Sequence, residues 1–138
     1  MVLLLSCMTA PEEDSAPACS GDVALALAHQ VEGEWAPLND VLNAPLGPGG
    51  GWPGYLRLTT WNTKAVVDVS LQLGGADPRL WQIEQSPTDE ECVQTFEHMA
   101  AYPDQQQLCA TRDLTLCVTD ATSTTCERWT VFVDNGAC

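Results

Sequence analysis

The sequence predicts an all-β domain, an antiparallel two-sheet sandwich with one short helical insertion, and three observations carry that prediction. Residues 65–73 and 114–119 alternate apolar and polar side chains with a period of two, as half-buried strands do. In residues 128–133, Trp129, Val131 and Val133 alternate with Arg128, Thr130 and Phe132. Glycine, proline and Asp/Thr/Ser clusters punctuate the chain at short intervals, which suits about seven short strands rather than long helices. A small β-barrel is the architectural alternative.

At the N-terminus, Leu4-Leu5-Ser6-Cys7 resembles the lipobox of bacterial lipoproteins: two apolar residues, a small one, then a cysteine. The resemblance implies that residues 1–6 are a truncated signal-peptide remnant and that Cys7 is lipidated and becomes the mature N-terminus. It places the protein in a bacterial cell envelope, anchored to a membrane. Residues 1–6 lack the positive charge and long apolar stretch of a full export signal, so the alternative is an ordinary thiol in a cytoplasmic protein. Residues 8–21 are small, acidic and broken by proline, and bury too little to repay ordering. With Cys7 they make residues 7–21 a lipid-anchored flexible linker, followed by a folded domain over residues 22–138.

The domain begins where Val23, Leu25 and Leu27 alternate with alanines, a strand pattern with helix as its rival because Ala and Leu favour helices. His29 ends this run and reads as a strand-end surface residue. Residues 31–40 form a short strand running into a turn, and residues 46–54 are nearly pure turn chemistry. That glycine-rich loop leads into the strand-like run 55–61, with no helix start or lysine to hold a phosphate. Residues 80–84 start another strand after the Gly74-to-Pro78 break.

Ser86-Pro87 followed by acids looks like a helix start, and Cys92, Phe96 and Met99 recur at helical spacing, so a helix is expected here. Tyr102-Pro103 would stop it. His98 on this segment has no ligand-spaced partner and reads as a surface histidine.

Charge and cysteine content bound the function. The 138-residue chain carries 19 acids against five bases, a net charge of −14. Arg57, Lys64, Arg79, Arg112 and Arg128 are too few and scattered to track phosphates, so nucleic acid is excluded as a partner. Seven cysteines with no C-x-x-C pair fit disulfides better than structural zinc. With Cys7 lipidated, six remain for three bridges. A turn at Ala121-Thr122 puts Cys117 opposite Cys126 and Leu114 opposite Trp129, with thiols on one face and apolar residues on the other. Cys117–Cys126 is therefore the leading pair. Cys92–Cys109 would clamp the helical insertion, and Cys19–Cys138 would tie the ends.

No catalytic, cofactor or metal site is indicated. No serine lies in a nucleophile motif, Asp68 and Asp113 have no motif around them, and no calcium loop or clustered copper ligands occur. Five tryptophans are weighed as core filler against sugar-stacking platforms. Trp52 in the glycine loop, and Trp61 with Tyr55 on the polar strand face, are the stacking candidates.

The run Gly33-Glu34-Trp35-Ala36-Pro37-Leu38, then Gly49-Gly50-Gly51, Tyr55-Leu56-Arg57-Leu58 and Val69-Ser70-Leu71, is similar to short immunoglobulin-like lipoprotein domains of unknown function in Gram-negative bacteria. The last two strands look like the final hairpin of such domains. The resemblance implies an immunoglobulin-like sandwich and carries no functional residue across. The expected role is non-catalytic: a lipid-anchored domain that binds or supports another envelope protein or a glycan. A carbohydrate-binding module and a small hydrolase or metal-dependent enzyme are the alternatives.

Overall fold

The computed structural model describes residues 19–121 and 123–138, and the described chain is a two-sheet, almost wholly antiparallel sandwich. Ten strands follow in order: β1 (Ala24–Val31), β2 (Glu34–Pro37), β3 (Val41–Asn43), β4 (Gly54–Trp61), β5 (Val66–Leu73), β6 (Arg79–Glu84), β7 (Ser86–Pro87), β8 (Val93–Ala101), β9 (Thr111–Asp120) and β10 (Ser123–Asp134). One sheet has the order β2-β1-β4-β8-β7 and the other β3-β10-β9-β5-β6. The pairing of β3 with β10 is parallel. Cys7 and most of the expected linker lie outside the described residues.

Alternation builds the core. Leu25 and Leu27 of β1, Leu56 and Leu58 of β4, and Met99 of β8 point inward from one sheet. Val67, Val69 and Leu71 of β5, Leu114, Leu116 and Val118 of β9, and Val131 and Val133 of β10 meet them from the other. In β4, β5 and β9 each inward position is followed by an outward one, so a shift of one residue would expose the whole set. The β1–β2 hairpin turns on Glu32 (φ +52°) and Gly33 (φ +83°), the paired left-handed residues of a two-residue turn that matches strand twist. The β9–β10 hairpin has the expected register, with Leu114 opposite Trp129 and Cys117 opposite Cys126.

The expected helix is a strand. Apart from a 3₁₀ turn at Gln105–Gln107, the described residues hold no helix. Phe96 pairs with Leu58 and Met99 with Leu56, so β8 takes three steps where β4 takes two. The extra residue is a β-bulge, and it lets two side chains three apart both face inward. Apolar spacing of that kind imitates a helical face. The acidic stretch before it is a turn, in which Thr88 Oγ1 accepts the Glu90 N–H and donates to the Val93 carbonyl.

Two of the three expected bridges are corrected. The disulfides are Cys19–Cys92, Cys109–Cys138 and Cys117–Cys126. Cys92 and Cys109 cannot meet because β8 lies extended between them, nine residues and about 30 Å long. The ladder that aligns Ala24, Trp61 and Val93 instead brings the chain before β1 beside Cys92. At the other end, the Cys109 N–H donates to the Val133 carbonyl, and this contact sets Cys109 beside the C-terminal Cys138.

His29 is also corrected: it is 7% exposed, not a surface residue. The inward parity of Leu25 and Leu27 continues to it, and its Nδ1 accepts the Asn43 backbone N–H at 3.1 Å. The ring therefore carries its proton on Nε2 and joins β1 of one sheet to β3 of the other. Burial lowers its pKa from the ordinary 6.5. Below that value the unfolded chain takes up a proton the native state refuses. Stability is then full above about pH 6.5 and falls as pH drops from there towards the folded pKa. Urea midpoints are expected to decline from about pH 7 to pH 5 in the wild type and to stay level in His29→Gln. Parallel slopes would rule His29 out as the cause.

Candidate functional site

The outer face of the β9-β5-β6 sheet holds an open cleft of about 400 Å³. Register builds it from even positions of β5 and β6 and odd positions of β9. Thr119, Asp68 and Gln82 form one row across the strands, and Cys117, Ser70 and Leu80 the next. The Cys117–Cys126 bridge lies on this face, and Trp81 completes the wall. Gln82 Nε2 approaches Asp68 Oδ1 at 3.5 Å, a loose contact that leaves the carboxylate available. Leu80 is 74% exposed, the most exposed of the large apolar residues among those described. The cleft thus offers a carboxylate, an amide and two hydroxyls beside apolar surface.

A second, smaller pocket of about 210 Å³ opens on the opposite side of β6. Leu71 and Leu73 of β5 form its apolar part, with Arg79, Tyr102 and Gln107 around it. Gln107 is fixed there: its Nε2 donates to the Leu73 carbonyl at 2.7 Å, and its Oε1 accepts the Asp104 N–H. The Arg79 guanidinium stands over the Tyr102 ring at 4.5 Å and 5.9 Å from the Trp81 ring. Cation–π contact of this kind holds a charge in place without neutralising it.

The stacking candidates are not brought together. Tyr55 and Trp61 stand on the outer face of β4, but at its two ends, about 20 Å apart. Trp52 is half-buried and packs against the core. A different aromatic–cation pair, Trp35 with Arg57 at 5.5 Å, occupies the outer face nearer Tyr55. Asp113 pairs at 3.9 Å with Arg128, both exposed, an interaction of little energetic weight.

His98 is exposed and meets Phe96 edge-on at 5.5 Å, while His29 is committed to Asn43. Among the described residues, no three His, Cys, Asp or Glu side chains converge as a metal site would require. Nor is any helix among them long and apolar enough to cross a membrane.

Sequence reasoning passed over Leu80, Ser70 and Thr119 as ordinary strand residues and weighed Trp81 only as one of five tryptophans. The usable signal was the outward parity of β5 and β6, but it acquires meaning only once β9 is known to lie beside β5. Compared with known protein families and with curated proteins, the sequence matches none.

Proposed function

We propose that this chain is a non-catalytic, lipid-anchored domain of the bacterial envelope or cell surface whose role is to bind a partner. The observation that carries the reading is the cysteine pairing. Six of the seven cysteines are joined in three bridges, which points to an oxidising, non-cytoplasmic compartment, and Cys7 is the one they omit. That is the residue the lipobox resemblance assigns to the lipid. A cleft of mixed polar and apolar lining supports a binding role.

The test is the intact mass of protein recovered from membranes of a bacterial host. A chain starting at acylated Cys7 and gaining six hydrogens on reduction, two for each bridge, is expected. Cys7→Ala should move to the soluble fraction with its three bridges intact. An unprocessed N-terminus in the wild type would remove the anchor. Binding of a glycan is the second reading, favoured by Asp68, Gln82, Ser70 and Thr119 in one cleft.

A further inference from the structure

The sandwich has four edge strands, and three are blunted. β2 has four residues and ends in Pro37, β3 has three, and β7 has two, one of them Pro87. Short length and proline are ordinary protections against pairing with another chain. β6 is different. It has six residues, pairs on one side with β5, and has no other strand beside it among the described residues.

The ladder shows which backbone groups are free. The Gln85 N–H donates to the Ala65 carbonyl, so odd residues of β6 are the ones bonded to β5. The Gly74 N–H donates to the Asp113 carbonyl on the far side of β5, which requires the same alternation. The N–H and C=O groups of Leu80, Gln82 and Glu84 therefore point away from the sheet. Pockets flank this edge on both faces, the cleft beside Leu80 on one and the Arg79–Tyr102 pocket on the other.

We propose that the free edge of β6 receives an extended segment of a partner protein as an added strand. One apolar side chain of that segment sits in the cleft beside Leu80, and a carboxylate on its other face meets Arg79. Main-chain bonds to Leu80, Gln82 and Glu84 supply affinity, and the two pockets read alternate side chains. Charge sets the rest of the partner's chemistry. Arg79 has no carboxylate within salt-bridge distance among the described residues and is held by two rings. The chain as a whole is at −14, so basic residues flanking the single acid favour approach. This inference rests on the reading of the chain as a binding domain and is independent of its anchor.

The probe is a short synthetic peptide in which valines alternate with threonines, with one central glutamate and a lysine at each end. Amide exchange by NMR on the oxidised chain reads the outcome. Near-saturating peptide should slow exchange at Leu80, Gln82 and Glu84 about tenfold, following occupancy. Gln82→Pro removes an outward N–H without touching the β5 ladder, and should abolish that protection while leaving the melting temperature close to wild type. Arg79→Glu should weaken the glutamate peptide about fivefold and recover binding when the peptide carries lysine in its place. Unprotected amides in the wild type, or equal protection in Gln82→Pro, would overturn the proposal. So would chitohexaose perturbing the cleft while the peptide leaves all three amides unchanged. Loss of the anchor in the mass experiment would leave this exchange pattern unaffected, which separates the two failures.

Discussion

Serine at both Cys19 and Cys92 is expected to destabilise the oxidised protein by about 4 kcal/mol, the largest effect of any one bridge. The sequence separations closed are 73, 29 and 9 residues for Cys19–Cys92, Cys109–Cys138 and Cys117–Cys126. Loop-closure entropy then ranks their losses at about 4, about 3.5 and about 2.5 kcal/mol. Losing the first also frees the entry to β1, where Asn62 Nδ2 donates to the Asp22 carbonyl and the Asn62 N–H to that of Cys92. Urea titrations of the three paired serine variants give the ranking directly. A reversed order would mean that native packing, not unfolded-chain entropy, governs these bridges. Domains of this size have stabilities of roughly 5–15 kcal/mol, so full reduction should leave little folded protein at room temperature.

Gln85→Leu should cost about 3 kcal/mol or more, because it breaks a closed ring of buried hydrogen bonds. Thr60 Oγ1 donates to Gln85 Oε1 at 2.8 Å, Gln85 Nε2 donates to Thr63 Oγ1 at 3.1 Å, and the Thr63 hydroxyl completes the ring to Thr60 at 2.8 Å. The amide's second hydrogen goes to the Lys64 carbonyl. Every donor in the ring is used. The ring sits where the chain crosses between sheets, after β4 and again after β6, so it locks the corner of the sandwich. Leucine would leave the Lys64 carbonyl without this donor and one of the two threonine hydroxyl hydrogens without an acceptor, because the Thr60–Thr63 bond can use only one of them. The triple change Thr60→Val, Thr63→Val and Gln85→Leu should lose less than the sum of the single changes, since only the Lys64 carbonyl is then left without its donor. Additive losses in thermal denaturation would mean that the three side chains act separately.

Much of the sandwich was legible in local pattern. The period of two in β5 and β9 named their buried faces correctly, and the Cys117–Cys126 register followed from a two-residue turn and matched apolar sets. Both inferences use neighbours in sequence. The helix expected around Phe96 failed because a β-bulge and a helical turn both bring residues three apart to one side. Pattern within the segment cannot separate them; pairing with Leu56 and Leu58 of β4 does. The two long-range bridges failed for the same reason. Once β8 is extended, Cys92 and Cys109 stand at opposite ends of the sandwich, and their partners follow from which strands lie alongside.

The candidate site was the least legible part. Tyr55, Trp52 and Trp61 stood out as large aromatics, yet the strand that carries the free edge, the cleft and the stacked arginine is β6. Its importance lies in having no neighbour on one side. By itself the sequence determined the all-β class, the outward and inward faces of β5 and β9, the final hairpin and its bridge, because a strand's period and a tight turn are written in adjacent residues. Tertiary structure alone decided strand order, the bulge in β8, the other two disulfides, the burial of His29 and the open edge of β6. Those depend on which segments distant along the chain come to lie side by side, and backbone hydrogen bonds that any residue can make carry no mark of it in the sequence.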